Sequence, residues 1–285
     1  MSDLRDAVRD ATRRLTEAGV GSPEHDAVAL AAHALGVDSS EVRRLMILGG
    51  SVPEGYAALV AERASRVPLQ HLTGRAWFRG LELEVGPGVF VPRPETEVVA
   101  GWAIDAAQAC LDDGVPAPVV VDLCTGSGAI ALSIKSEVPQ AQVHAVEVSD
   151  LAVAWAQRNC ERLALDVEIV HGDAVTAFED LSEVDVVVSN PPYIPTTAEP
   201  IDPEVRDHDP HVALYGGSED GLAIPRLVAA RAVALLRSGG VLVMEHADSQ
   251  GESLPAALQA TGSWSHVEDR EDLTGRPRAT VAIRA

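Results

Sequence analysis

Basic side chains are scarce in this 285-residue chain: 22 Lys+Arg stand against 43 Asp+Glu, and Lys135 is the only lysine. The shortage is uneven. Residues 1–75 hold 9 basic and 10 acidic side chains, residues 76–285 hold 13 and 33, and almost all of the formal charge of −21 therefore lies after residue 75. A surface that negative repels a phosphate backbone, and no basic stripe interrupts it, which argues against direct nucleic-acid binding. Cysteine is equally sparse. Cys110, Cys124 and Cys160 form no Cys-x-x-Cys pair and leave one odd thiol, excluding a disulfide framework and a zinc knuckle. No apolar run reaches the roughly 18 residues of a membrane span, and MSDLRDAVRD lacks the apolar stretch of a signal peptide. These absences predict a reduced, cytoplasmic protein with no membrane partner and no resident metal, and a monomer is expected. What is present is globular: 46% hydrophobic residues, with length for one large or two modest domains.

The first 67 residues read as helices. Leu4, Ala7, Val8, Ala11, Leu15 and Ala18 recur at helical spacing, with Gly19 and Gly21 as the stop. Ser22-Pro23 reads as a cap and first turn, Ser39 or Ser40 as the cap of a short helix to Leu48, and Pro53 as the start of a fourth through Val67. Residues 68–94 change character: Trp77-Phe78, Leu81, Leu83, Val85 and Val89-Phe90-Val91 alternate around glycines, predicting a β-hairpin that links domains. From residue 95 strands alternate with helices. Strands are expected at 119–123, 143–148, 167–170, 184–189, 241–245 and 280–283, and helices near 130–137, 151–163, 224–236 and 254–260. Continuous apolar strands in that alternation mean a parallel sheet covered on both faces. Residues 194–220 form the longest irregular stretch, the usual form of a lid or binding loop.

Two segments carry chemistry. Val119–Leu123 runs into Cys124-Thr125-Gly126-Ser127-Gly128, a buried strand followed by a glycine turn and a helix start. Such a turn lets a ligand reach main-chain amides, and an acid about 20 residues on typically holds a ribose. Glu147, 21 after Gly126, fits. The pair implies an adenosine-containing ligand without saying which; Gly126, Gly128 and Ala131 also match the dinucleotide pattern, leaving a nicotinamide cofactor open at this point. Asp173, after the third strand, stands where a doubly wound sheet can touch the base of such a ligand, or where a solvated loop acid would sit.

The second segment is Asn190-Pro191-Pro192-Tyr193, leaving a buried strand at its carboxyl end. Asn190 offers a side-chain carbonyl and Pro191 a backbone carbonyl, two acceptors that can hold a planar NH₂ group. Pro192 stiffens the turn, and Tyr193 gives a flat face for stacking. Neither acceptor is a strong base, so catalysis would rest on aligning nitrogen and donor at about 3–3.5 Å. A hydride transfer needs no such clamp, and the nicotinamide reading drops out here. His208 and His211 flank Asp209-Pro210 without a third ligand, which reads as loop surface.

With these motifs the chain resembles the bacterial PrmC/HemK family, peptide chain release factor N(5)-glutamine methyltransferases, over nearly its whole length. Asn190–Tyr193 is shared with amino-methylating DNA and RNA enzymes and gives reaction type alone. The family-specific matches are Pro68–Gly74, Val91–Glu97, Ala213-Leu214-Tyr215-Gly216-Gly217 with Asp220-Gly221, Glu245-His246, and Asp272–Arg276. The resemblance implies an α/β fold, a Rossmann-like class I S-adenosyl-methionine-dependent methyltransferase domain at 95–285, with an N-terminal helical bundle at 1–67 for partner recognition and a β-hairpin linker at 68–94. It implies seven strands, the last antiparallel. It implies methyl transfer from S-adenosyl-methionine, leaving S-adenosyl-homocysteine, to the glutamine amide of Gly-Gly-Gln in class I release factors. By the same resemblance the cofactor loop falls on Cys124, Thr125, Gly126, Ser127 and Gly128, the ribose acid on Glu147, and the adenine side on Asp173 and Ala174. Donor contact falls on Asn190, the glutamine-binding turn on Asn190 to Tyr193, and Phe90 and Arg93 line the cofactor's open side. Cys124 replaces the family's usual glycine, Glu147 the more usual Asp, His71 a Tyr, and Ala174 a common aromatic. The competing readings are an amino-methyltransferase acting on a nucleic-acid base, which the charge opposes, and a binder that holds the cofactor without transfer.

Overall fold

The computed structural model describes residues 3–285. Its contacts gather into two compact units: one takes the chain up to Arg75 with Val85–Pro87 and Ile201–His208, the other Ala76–Glu84, Gly88–Pro200 and Asp209–Ala285.

The smaller unit is built on α1 (Leu4–Glu17), α2 (Pro23–Leu35), α3 (Ser39–Leu48), α4 (Tyr56–Ala64) and α5 (Leu69–Thr73). The apolar stripe of α1 is buried at Leu4, Val8, Ala11 and Leu15, against Ala27, Leu30 and Ala31 of α2 and Val60 of α4. Three details depart from the expected helix starts. Ser22 makes no side-chain cap bond, so α2 starts on Pro23 alone. Asp38, one residue before the expected serines, caps α3 by accepting from the Glu41 amide at 2.8 Å, since a carboxylate is the stronger acceptor. The fourth helix begins at Tyr56, after Gly55 at φ +79°, rather than at Pro53. A buried ion pair crosses this unit: Arg63 Nε to Asp26 Oδ2 at 2.7 Å, with Arg63 Nη2 to Glu204 Oε1 at 2.7 Å.

Within residues 68–94 only the middle is sheet. β1 (Arg75–Phe78) and β2 (Leu81–Glu84) meet at Arg79-Gly80, both at positive φ, the two-residue turn that matches strand twist. Val85–Arg93 has no regular structure. The sequence pattern also passed over α6 (Pro94–Asp112), the longest helix.

The larger unit is a seven-stranded sheet of β3 (Val119–Leu123), β4 (Gln142–Glu147), β5 (Val167–His171), β6 (Val184–Ser189), β7 (Leu236–Glu245), β8 (Trp264–Glu271) and β9 (Pro277–Arg284), in the order β5-β4-β3-β6-β7-β9-β8. The first five are parallel; β9 runs antiparallel to both neighbours. Its helices are α6, α7 (Ala129–Glu137), α8 (Asp150–Leu163), α10 (Ala223–Leu235) and α11 (Ser253–Gln259); the short α9 (Pro203–His208), between α8 and α10 in the chain, belongs to the smaller unit. Period-2 alternation splits the strand side chains between two cores. Val120, Val186 and Val188 pack with Val99 and Ala103 of α6 and Ile130 and Ile134 of α7. Val121, Leu123 and Val187 pack with Val228 and Ala232 of α10 and Leu254 of α11. The Rossmann-like α/β architecture expected from the sequence is the one observed, with strand β8 supplied where the pattern had been silent.

Strand order locates the site. The chain enters at β3, builds outward through β4 and β5, then returns to lay β6 on the other side of β3. Loops leaving β3 and β6 therefore diverge, opening a crevice at their carboxyl ends, the place where open α/β sheets take ligands.

Candidate active site

The register aligns the candidate segments at that crevice. Leu123 pairs with Ser189 and with Val146, and Glu147 pairs with His171. Cys124–Gly128, Glu147, Asp173 and Asn190–Tyr193 thus all lie at or just past the carboxyl ends of four adjacent strands.

The glycine loop is held from beneath. Thr125 Oγ1 donates to Asp122 Oδ2 at 2.6 Å, and the Ala131 amide to the same oxygen at 3.2 Å. Asn159, buried on α8, donates to the Ser127 carbonyl at 3.1 Å and to the Glu84 carbonyl at 2.9 Å, while accepting from the Glu84 amide at 2.7 Å. Burial raises the Asp122 carboxyl to about 7, against the Thr125 and Ala131 hydrogen bonds. Cys124, Gly126 and Gly128 stand at φ +71°, +58° and +84°. Gly128 is close-packed, a Cβ there lying 3.0 Å from Leu132 Cδ1, whereas a Cβ on Gly126 would meet nothing within 4 Å. The cysteine in the usual glycine position therefore adopts the left-handed conformation at a steric cost of about 1–2 kcal/mol. Burial pushes its thiol pKa upward, so it is no thiolate nucleophile.

Glu147 organises the mouth of the loop. Its Oε2 accepts from the Gly126 amide, and Oε1 from the amides of Val148 and Ser149, each at 2.9 Å. A carboxylate so fixed keeps spare lone pairs for a diol, and the open space at Gly126 adjoins it. Donor set and open face together fit an adenosine-type ligand. Asp173 Oδ1 accepts from the Val175 amide, capping its own turn. The Ala174 methyl is buried in the core with Leu123 and Val146, leaving its backbone for any ligand contact. The Arg93 guanidinium lies 5.0 Å from the Phe90 ring centroid and is anchored by Asp209 at 2.7 Å.

On the β6 side, Pro191 and Pro192 are buried while Asn190 and Tyr193 are half-exposed. Asn190 Nδ2 reaches Thr96 Oγ1 at 3.4 Å, and the Tyr193 hydroxyl reaches Glu245 Oε1 at 3.4 Å. Burial lifts the Glu245 carboxyl to about 7, opposed first by Thr96 and then by Arg278. Gln250 fastens the exit of the turn, donating to the carbonyls of Tyr193 and Asp220, each at 2.9 Å. Ile194 exchanges backbone bonds with Leu214 and Gly216, and the glycines of that motif are sterically required: a Cβ on Gly216 would lie 1.8 Å from the Gly221 oxygen, and one on Gly221 2.1 Å from the Tyr193 oxygen.

Six of these supporting residues, Thr96, Asp122, Asn159, Asp209, Glu245 and Gln250, are assigned no role by the sequence, though Thr96 and Glu245 lie within its family-specific matches. Three gave a signal: Asp122 interrupts an apolar strand, Glu245 ends one, and Asn159 shares a buried helical face with Ala152, Val153 and Ala156. Among the described residues no group of three or more His, Cys, Asp or Glu could hold a metal, and no helix is long and apolar enough to cross a membrane.

Comparison with known proteins agrees with this geometry. The family model "Methyltransferase small domain" matches residues 96–201, and "PrmC N-terminal domain" matches residues 6–74. A release factor glutamine methyltransferase of Streptomyces coelicolor is 51% identical, covering 100% of this chain and 99% of its own. A 4-amino-L-phenylalanine/4-methylamino-L-phenylalanine methyltransferase of Streptomyces pristinaespiralis is 42% identical over 94% of this chain and 91% of its own. Among solved structures, the T. thermophilus 16S rRNA N2 G1207 methyltransferase in complex with AdoMet and guanosine shares the fold at TM-score 0.51 and 22% identity, covering 74% of this chain and 50% of that one. A parallel sheet with its glycine loop and its Asn-Pro-Pro-Tyr turn at one switch point, joined to full-length identity of this order, makes the chain a member of the release factor glutamine methyltransferase family.

Proposed function

We propose that this protein methylates the side-chain amide nitrogen of the glutamine in the Gly-Gly-Gln motif of class I peptide chain release factors, using S-adenosyl-methionine, in the cytoplasm. One observation carries the reading most: the amide-accepting turn Asn190–Tyr193 and the glycine loop with Glu147 emerge from neighbouring strand ends on the two sides of one crevice. When bound, S-adenosyl-methionine supplies an electrophilic methyl group. The backbone of Cys124–Gly128 would hold its amino-acid end, Glu147 its ribose hydroxyls and Asp173-Ala174 its base, with Phe90 and Arg93 on the open side.

For the acceptor, Asn190 Oδ1 and the Pro191 carbonyl would take the two N–H bonds of the glutamine amide and leave the face of its nitrogen open to the donor methyl; the new N–C bond would replace the donor's S–C bond, and the methylated nitrogen would release one of its two protons to solvent. Tyr193 stacks on the flat amide. As the nitrogen gains positive charge its N–H groups become stronger donors, and the two carbonyls hold them more tightly, stabilising the transition state. Most of the rate gain comes from alignment. We assign residues 1–67 to release-factor recognition, 68–94 to the linker and 95–285 to catalysis. The formal charge of −21 argues against a nucleic-acid substrate.

The pristinaespiralis relative gives a second reading a specific footing, because the same turn could clamp the NH₂ of an arylamine. The deciding assay is peptide mass spectrometry of an unmethylated release factor after incubation with this protein and S-adenosyl-methionine, beside 4-amino-L-phenylalanine. A single methyl on the Gly-Gly-Gln glutamine is the expected result. Methylation of the arylamine alone transfers the assignment to the second reading, and an unmodified factor and arylamine reject both.

A further inference from the structure

The groups behind the Asn190 turn give its side chain a direction. An amide end carries one oxygen and one NH₂, and only with the NH₂ turned to an acceptor is Oδ1 left for a substrate N–H. That acceptor is Thr96 Oγ1, 3.4 Å from Asn190 Nδ2. A threonine hydroxyl has a single proton; while it accepts from Asn190, the proton must go elsewhere. The buried Glu245 carboxyl is the acid beside it, and the Thr96 hydroxyl is the first of the groups that oppose the effect of that burial. The Tyr193 hydroxyl aims at the same carboxylate, at Oε1, and Oε2 is buried with no hydrogen-bond partner. A carboxylate only accepts, so neither hydroxyl can reverse while Glu245 is ionised.

Deepening the methyl-transfer reading, on which it rests, we infer that Thr96 and Glu245 are positioning residues, fixing Asn190 through a one-way chain in which Asn190 Nδ2–H donates to Thr96, and Thr96 and Tyr193 donate to Glu245. Thr96 belongs to the first turn of α6 and Glu245 to the last residue of β7, so the chain joins two elements to the strand end that bears the acceptor turn. The other charged groups facing Glu245 are Arg278 of β9 and Glu95 of α6, and Arg278 is itself paired with Asp272 at 3.1 Å. Burial pushes the Glu245 carboxyl up to about 7. Below that the acid becomes a donor, Thr96 is free to turn its own proton toward Asn190, and the amide loses its fixed orientation. Positioning therefore improves as pH rises through this range.

Two measurements test the chain. In the ligand-free protein, the Asn190 side-chain NH₂ signals in ¹⁵N–¹H spectra, assigned by their loss in Asn190→Ala, should move with a midpoint near Glu245's value and stand still in Glu245→Gln. In single-turnover methylation of a release factor, Thr96→Val should be about 10–100-fold slower with S-adenosyl-methionine affinity and melting temperature unchanged, as expected for a lost transition-state alignment. Thr96→Ser, which keeps the hydroxyl, should recover to within about threefold of wild type on the same grounds. The pH dependence of the rate near Glu245's midpoint should disappear in Glu245→Gln. A wild-type rate in Thr96→Val, a Thr96→Ser as slow as Thr96→Val, or Asn190 signals indifferent to pH in the wild type would each overturn the inference. Should the wild type leave the release factor unmethylated, the proposed function falls, and the spectra still decide on the chain.

Discussion

Asn190 is half-exposed at a strand end and supports no core, so its side chain can be removed cheaply. Asn190→Ala should fold normally and bind S-adenosyl-methionine within a few-fold, yet lose about 10²–10³ in single-turnover methylation, the usual loss for one transition-state hydrogen-bonding group; rapid-quench mass spectrometry reads it. Cys124 gives the opposite test, of backbone and not chemistry. At φ +71° a β-branched side chain is a steric outlier, so Cys124→Val should cost about 2 kcal/mol in urea unfolding. Cys124→Gly relieves strain but loosens the unfolded chain, and should change stability by less than about 1 kcal/mol. Both positions were legible in the sequence, because Asn-Pro-Pro-Tyr and a glycine loop are rare residue combinations tied to local backbone needs. The roles of Thr96, Glu245 and Asp209 were not, although Thr96 and Glu245 fall within matched motifs, since those roles come from which strand end or loop the fold places beside them. Glu245 matters because β7 lies next to β6, and that adjacency is written in no local pattern.

Among elements, the central strands β3, β4, β6 and β7 were legible from their apolar residues, although β7 starts at Leu236, before the Val241–Glu245 run that marks it. β8 was not: Trp264–Glu271 is an edge strand, charged over its second half and partly exposed, as edge strands are when protected against pairing. α6 carries an apolar spacing at Val99, Ala103, Ile104, Ala107 and Cys110, but its start at Pro94-Glu95-Thr96 falls within the Val91–Glu97 motif, which by itself specifies no secondary structure. The motif around Gly216 and Gly221 was recognisable while its reason was hidden. Its backbone packs against the Tyr193 carbonyl with no room for a Cβ. Gly221→Ala should therefore displace the acceptor turn and cut methyl transfer by at least about tenfold, a misplacement effect. Because the cofactor loop leaves another strand, S-adenosyl-methionine affinity by calorimetry should stay within a few-fold of wild type.

The whole molecule holds two carboxyls that burial raises to about 7, Asp122 and Glu245. In the unfolded chain both titrate near pH 4, so between about pH 4 and 7 the folded state keeps protons that the unfolded state releases. Linkage then fixes the sign: their stabilising contribution is full below about pH 4 and is lost as pH rises through about 7. The urea midpoint should fall across that window, and Asp122→Asn should flatten the fall; a slope unchanged in the variant would remove Asp122 as its cause. One further property belongs to this scale. The helical unit is discontinuous, because Arg63, already paired with Asp26, takes its second acid from Glu204, 141 residues later. On a translating ribosome residues 1–75 emerge long before that acid, so this ion network closes only after the glycine loop and the Asn190 turn have been made. A chimera that transplants the helical unit must therefore carry Ile201–His208 along with the N-terminal segment, and a cut after Arg75 should yield a fragment in which Arg63 lacks half of its counter-charge.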